Sequence, residues 1–319
     1  MRAMRTGFFQ NTIALVYDFD GTLSPQPMQE YTVLPKLGVE PAQFWAMVNR
    51  EARDTESDPM LVYMRHIIES LERAKVDVKR EDFAAMAALI EYFPGVATWF
   101  ARMNAYVRRR SRGRVKLAHY LISAGQKEIL EGVSIRRHFR RIYASEYHFN
   151  HHGVATFPKF LVTDTLKTQF LFRINKGIEA VTESINEHMP EAERAIPFPN
   201  MIYVGDGMTD VPSMTVTKKN GGHAVAVYDP RGERGRATCV KLLDAGRVDF
   251  VAEADFRRDS RLARRVELLL DAIVADIAYR REAYECRIEE GRRAAGKDTR
   301  TASAARRAVS RKRRRRARR

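Results

Sequence analysis

The stretch Leu15-Val16-Tyr17-Asp18-Phe19-Asp20-Gly21-Thr22-Leu23 decides how the rest of the chain is read. The apolar run Ile13 to Tyr17 has the character of a strand buried on both faces, and it ends in two carboxylates spaced i and i+2. Burying ionisable acids at a strand end is costly, so their presence asks for a reason beyond packing. The carboxyl edge of an α/β sheet, where such folds bind ligands, supplies one. An EF-hand calcium loop fits poorly, because the fifth position counted from Asp18 is Thr22 and the twelfth is Gln29 instead of Glu. An Asx-rich turn is the remaining plain reading.

A second stretch repeats the pattern: Met201-Ile202-Tyr203-Val204-Gly205-Asp206-Gly207-Met208-Thr209-Asp210. Again an apolar strand ends in acid, here beside glycines that permit a tight turn, with Asp210 one helical turn beyond Asp206. Four carboxylates converging in one crevice repel one another and call for a cation. Hard oxygen ligands with no Cys or His among them select Mg²⁺.

Around these two strands the chain alternates. Thr12 to Asp18, Val115 to Ser123, Ile142 to Tyr147, Met201 to Gly205, His223 to Tyr228 and Asp249 to Ala254 read as strands. Helix-length segments separate most of them, which predicts a doubly wound, mostly parallel α/β sheet. From Pro25 to about Arg112 no convincing strand occurs, while amphipathic segments recur at 41–54, 59–73 and 80–92. This interval is expected to be a helical insertion after the first strand. A last helix from Ser260 to about Arg292 carries Leu262, Val266, Leu269, Ile273 and Ile277 at three- and four-residue steps, a stripe suited to core packing. The run His148-Phe149-Asn150-His151-His152-Gly153 reads as a solvated hairpin turn, since adjacent histidines point to opposite sides of an extended chain.

Composition narrows the class. The 319 residues are 45% hydrophobic, enough for a real core, and carry 56 Lys plus Arg against 40 Asp plus Glu, a net charge of +16. Of that excess, +13 lies in residues 292–319 and only +3 in the rest. A segment so basic and so poor in large apolar residues is expected to be disordered in isolation and to suit a polyanion such as a nucleic acid. Two cysteines in no metal-ligand spacing exclude a disulfide framework or a zinc site. No apolar run approaches the roughly 18 residues of a membrane span, and nothing near the start resembles a signal segment, so a cytoplasmic protein is expected.

A divalent cation beside a carboxylate nucleophile suggests phosphoryl transfer, which also requires hydroxyl and cationic partners for the phosphate oxygens. The second strand ends in Ser123-Ala124-Gly125, expected to present a hydroxyl and free backbone N–H groups at a helix start. Lys167 sits in the first turn of a helix opening at Thr165, where it opposes the helix dipole unless an anion accompanies it. Lys176 is the rival lysine, but nine residues along a helix it lies about 13 Å away, so only one of the two can serve, and the helix-start position favours Lys167.

In this order, Asp-Phe-Asp-Gly-Thr-Leu at 18–23, Ser123, a helix-starting lysine and Gly-Asp-Gly-Met-Thr-Asp at 205–210 resemble the four motifs of the haloacid dehalogenase superfamily, specifically its phosphoserine-phosphatase-like branch. The resemblance spans residues 10 to 256 or so. It implies that Asp18 is the nucleophile forming an aspartyl-phosphate and that Asp20 protonates the leaving group, then activates water. Mg²⁺ would be bound by the Asp18 side chain, the Asp20 backbone carbonyl and Asp206, with Asp210 orienting the metal shell or the lysine. Ser123, Ala124 and Lys167 would hold the transferring phosphoryl group. Dehalogenases of this superfamily lack an acid at the Asp20 position and P-type ATPases carry threonine there, so Asp20 implies a phosphatase, or alternatively a phosphomutase.

The implied organisation is a catalytic core at 1–24 and 113–291, a helical cap at 25–112 that closes over the site, and a basic tail at 292–319. The expected substrate is a small phosphorylated metabolite. Arg50, Glu51, Arg53, Tyr63 and Arg65 of the cap are candidate selectors. An alternative is a nucleic-acid-associated phosphatase or binding protein using the tail.

Overall fold

In the computed structural model, the TIALVY run forms strand β1 (Thr12–Tyr17), five of whose six residues are fully buried. Only a strand covered on both faces tolerates such a run. The structure describes residues 7–75 and 78–316, the side chains of 233–234 and 294–316 aside. The further strands are β2 (Lys116–Gln126), β3 (Phe139–Phe149), β4 (Ala155–Phe160), β5 (Met201–Gly205), β6 (His223–Tyr228) and β7 (Phe250–Glu253). They form one seven-stranded sheet in the order β4-β3-β2-β1-β5-β6-β7, parallel throughout except for the β3–β4 hairpin. The expected doubly wound α/β sheet is therefore present.

Helices are α1 (Met28–Tyr31), α2 (Val33–Leu37), α3 (Pro41–Asp54), α4 (Pro59–Arg73), α5 (Arg80–Met86), α6 (Val96–Arg110), α7 (Lys127–Leu130), α8 (Lys167–Lys176), α9 (Val211–Lys219), α10 (Glu233–Asp244) and α11 (Arg261–Arg316). Proline at the first position opens α3 and α4, where its missing N–H costs nothing, and Asp58 caps α4 by accepting from Met60 N and Leu61 N. The amphipathic segment at 80–92 is shorter than its pattern, α5 giving way to a 3₁₀ turn at Ala87–Leu89.

Chain order fixes where a site can form. β1 pairs with β2 on one side and β5 on the other, both parallel, with Tyr17 opposite Leu121 and Val204. The carboxyl ends of β1, β2 and β5 thus lie side by side at the point where the strand order reverses, the crevice in which open α/β sheets bind ligands. On one face, Tyr120, Ile122, Phe170, Ile174, Tyr203 and Met214 belong to a single buried apolar cluster that seats α8 and α9 against the sheet.

Helix α6 lies inside the interval expected to be cap, yet it packs on the sheet. Trp99 and Phe100 are fully buried, the Trp99 indole N–H donates to the Tyr17 hydroxyl at 2.9 Å, and Phe100 meets Phe139 edge-on at 5.1 Å. The amphipathic pattern cannot distinguish a helix covering a sheet from one in a separate bundle, since both bury one face. Through this packing, residues 96–110 cover the face of the sheet that carries Tyr17. His148 and Phe149 end β3, and residues 150–154 are the tight connection of the β3–β4 hairpin, with Asn150 N donating to Val154 O and Gly153 N to Asn150 O.

The chain divides into two units, residues 10–274 with the whole sheet, and residues 1–9 with 275–319. In the second, the Phe8 ring lies 6.1 Å from Tyr284 and beneath the Arg281 guanidinium. The stripe Leu262, Val266, Leu269, Ile273 and Ile277 of α11 is buried. Arg292 and Arg293, the first residues of the tail expected to be disordered, are helical and exposed, and that expectation falls beyond them on 294–319, outside the residues described in full.

Candidate active site

At the end of β1 the Asp18 N–H donates to Val204 O of β5 at 3.0 Å, so the backbone carrying the first acid is locked to the strand that carries the second pair. The chain then turns sharply, with Leu23 N donating to Phe19 O and Gly21 N to Ser24 O. Gly21 has φ +74°, and a Cβ there would stand 2.2 Å from Asp206 Oδ2. Glycine is required twice over, by conformation and by the approach of the two motifs. At Gly205 the close approach alone requires glycine, since a Cβ would lie 2.2 Å from Asp210 Oδ2.

Lys167 ties the cluster together. It is 1% exposed, and its Nζ lies 2.9 Å from Asp18 Oδ2 and 2.8 Å from Asp210 Oδ1. Asp210 is itself fully engaged: Oδ1 also accepts the Tyr203 hydroxyl at 2.7 Å, and Oδ2 accepts Asp206 N–H at 3.1 Å. Burial and the neighbouring carboxylates push the Asp18 and Asp206 acids upward, with Lys167 opposing. Burial and Asp18 push Asp20 up to about 8. One lysine does not neutralise this concentration of carboxylates, and its own ammonium is held charged by Asp18 and Asp210 against its burial.

One oxygen from each of Asp18, Asp206 and Asp210 falls within 4.8 Å of the others, the one grouping of at least three potential ligand side chains among the described residues. The Asp20 side chain stands outside it, its Oδ1 accepting the Met28 N–H at 2.9 Å. Asp210 is the most heavily hydrogen-bonded of the three, held by Lys167, the Tyr203 hydroxyl and the Asp206 N–H. Hard, anionic oxygen donors suit Mg²⁺.

The strand end at Ser123 differs from expectation. Ser123, Ala124 and Gly125 lie within β2, which continues to Gln126, and a short helix starts only at Lys127. Ser123 Oγ, itself buried, accepts the Gly125 N–H at 3.0 Å, so that N–H is not free. The Ala124 carbonyl accepts both Ser145 Oγ and the Tyr63 hydroxyl. Lys176, at the far end of α8, donates to the carbonyls of Ile185 and Glu187 and so lies away from the acids.

Of the cap candidates, Tyr63 reaches this region. Arg50 and Arg53 are exposed, while Arg65 is paired with Glu51 and Glu69 in a network shared with His66. Sequence reasoning missed Tyr203, whose hydroxyl holds Asp210; a tyrosine inside a fully apolar strand signals a buried hydroxyl in need of a partner. It also missed the Trp99–Tyr17–His119 relay directly behind Asp18, in which Tyr17 bonds His119 Nδ1 at 3.1 Å.

A sequence model of the haloacid dehalogenase-like hydrolases matches residues 15–215. An uncharacterized protein of Borreliella burgdorferi is 24% identical over 278 residues, covering 79% of this chain and 94% of the relative. Among solved structures, a phospho-aspartyl intermediate analogue of phosphoserine phosphatase aligns with TM-score 0.50 and 16% identity over 81% of this chain and 99% of its own. A probable phosphoserine phosphatase from Vibrio cholerae aligns with TM-score 0.53 and 15% identity over 85% and 68%. At such identities these two show a shared fold. The sheet, its switch-point acids and the match over most of the sheet make the chain a member of the haloacid dehalogenase-like hydrolase family.

Proposed function

We propose that the protein is a Mg²⁺-dependent phosphatase that hydrolyses a small phosphomonoester through an aspartyl-phosphate on Asp18. The observation that carries this reading is the buried Lys167 ammonium bridging Asp18 and Asp210 beside Asp206. In this reading Asp18 attacks phosphorus and the ester oxygen departs with a proton from Asp20. Water then attacks the aspartyl-phosphate, giving its proton to Asp20 and releasing phosphate and free Asp18. The hydrogen bond from Met28 N–H fixes the Asp20 carboxyl, which suits a group that must deliver and recover a proton. Lys167 and Ser123 would hold phosphoryl oxygens, and Asp210, held by Tyr203, would position Lys167.

Asp18, Asp206 and the Asp20 carbonyl would hold Mg²⁺. Bound there, the ion supplies positive charge to a site crowded with carboxylates and offsets charge on the transferring group. The segment α1 to α5 would act as the cap that excludes water during the first step. Release of phosphate from p-nitrophenyl phosphate and from a panel of small phosphorylated metabolites, with Mg²⁺ and with chelator, tests the reading. Asp18→Asn should abolish turnover, and activity that survives that change overturns the mechanism.

A further inference from the structure

At the edge of the sheet opposite the acids, the charge has the other sign. Between Glu91 and Glu128 the chain carries six arginines, two lysines and no acid, and residues 132–145 add four arginines and again no acid. Strands β1, β2, β3 and β5 run parallel, so their amino ends share one edge, about 20 Å from Asp18 along the length of β1. Helix α6 brings its last turn to that edge, and a tight turn returns the chain into β2, where Lys116 lies opposite Thr12. Gly113 N donates to Arg108 O at 2.8 Å, Arg112 N to Arg109 O at 3.2 Å and Val115 N to Ser111 Oγ at 3.1 Å, which fixes the turn.

Arg108, Arg109, Arg112, Arg114 and Lys116 are all exposed around this one turn. Arg110 is neutralised, its guanidinium paired with both oxygens of Asp271 at 2.7 and 3.0 Å. Arg108, Arg109, Arg112 and Lys116 have no acidic partner among the described residues, and neither do the exposed Arg137 and Arg141 at the start of β3. Cations in the last turn of a helix complement its dipole, which accounts for Arg108 and Arg109 by themselves. It does not account for Arg112, Arg114 and Lys116, which follow the helix. Arg112 moreover has φ +52°, a left-handed backbone that ordinarily selects glycine or asparagine, and it holds an arginine at the tip of the turn.

We infer that the turn between α6 and β2, with the start of β3, is a docking surface for the phosphodiester backbone of a nucleic acid. The planar guanidinium fork matches phosphate oxygens in pairs, and all but one of these cations are arginines. Faces that bind nucleic acid are polar and strongly positive, whereas protein interfaces bury an apolar centre. No large apolar side chain between residues 100 and 141 is exposed, so these segments offer neither such a centre nor an anchor for a lipid bilayer. The surface is distinct from the basic segment 292–319 and independent of the phosphatase reading. Lying at the far edge of the sheet, it leaves the acids open while a partner is bound.

The full chain would be titrated into a fluorescein-labelled DNA duplex of about 20 base pairs, read by anisotropy at several salt concentrations. Arg109→Gln/Arg112→Gln/Lys116→Gln should weaken binding by about tenfold or more at low salt and lower the slope of log K against log salt by about three. Lys36→Gln/Lys75→Gln/Lys241→Gln removes the same charge at exposed sites elsewhere and should change both values little. Residues 292–319 are common to all three proteins, so equal losses in the two triple variants overturn the surface. In the wild-type chain, which needs no variant to fold, the duplex should slow hydrogen exchange in residues 108–116. Protection confined to 292–319 overturns the inference, and tighter binding to phosphatidylserine vesicles or to polyglutamate than to the duplex overturns the choice of nucleic acid.

Discussion

Behind Asp18, the His119 imidazole is 2% exposed, stacked on Tyr17 and edge-on to Phe100, its Nδ1 bonded to the Tyr17 hydroxyl. Burial, with a smaller contribution from His138, pulls its pKa down to about 3. The unfolded chain titrates this histidine near 6.5, so between the two values the unfolded state binds a proton that the folded state refuses. Stability therefore falls as pH drops below about 6.5, by up to about 1.4 kcal/mol per pH unit. Between pH 7.5 and pH 5 this one residue removes about 2 kcal/mol, a large share of the roughly 5–15 kcal/mol that holds a typical domain together. His119→Asn keeps an acceptor for the Tyr17 hydroxyl while deleting the titration. Urea unfolding of both proteins at the two pH values isolates the effect, because the remaining carboxylates and histidines contribute alike to each. The variant is expected to lose about 2 kcal/mol less than the wild type on acidification. Equal losses would refute the claim that His119 is held neutral by the fold.

Three further outcomes follow from the geometry. Gly21→Ala should destabilise the protein by about 1–3 kcal/mol from left-handed backbone strain and displace Asp206, so calorimetric Mg²⁺ affinity should fall at least tenfold with thermal stability; unchanged Mg²⁺ binding would contradict the close approach at that turn. Asp210→Asn removes the charge that holds Lys167, and kcat should fall by about 10²-fold or more if that lysine stabilises the transferring group, as measured in single-turnover reactions. Arg173, buried on α8, donates to the carbonyls of Ile178, Ala180, Val181 and Glu183. Arg173→Met should leave those carbonyls without their cation and make the 178–187 loop the first site of limited proteolysis, with little change in kcat.

How much of this could be read from the chain depends on the element. The strands at 201–205 and 223–228 and the helices at 41–54 and 59–73 carry their own signals: continuous apolar runs bounded by glycine, and proline-started amphipathic periods. The first and last thirds of the expected cap differed in kind, because α6 has the same period as its neighbours and only its partner, the Tyr17 face of the sheet, sets it apart. The Ser123 loop was expected to start a helix, but β3 is available alongside and Gln126 pairs with Ser145, so the strand continues. Long-range pairing overrode the local signal there.

The sequence by itself determined the parallel α/β class and the four acids and one lysine worth watching, because buried strands and costly charges leave marks that are local along the chain. It determined too that nearly all of the excess positive charge lies in residues 292–319. Only the tertiary structure decided which groups meet. Lys167 sits between Asp18 and Asp210, Tyr203 holds Asp210, Lys176 faces a loop, and Gln126 is left with an open acceptor beneath Tyr147. Residues 43 or 149 positions apart become hydrogen-bond partners through strand order and register. A hydrogen bond depends on separations of a few tenths of an ångström, which no spacing along the chain encodes.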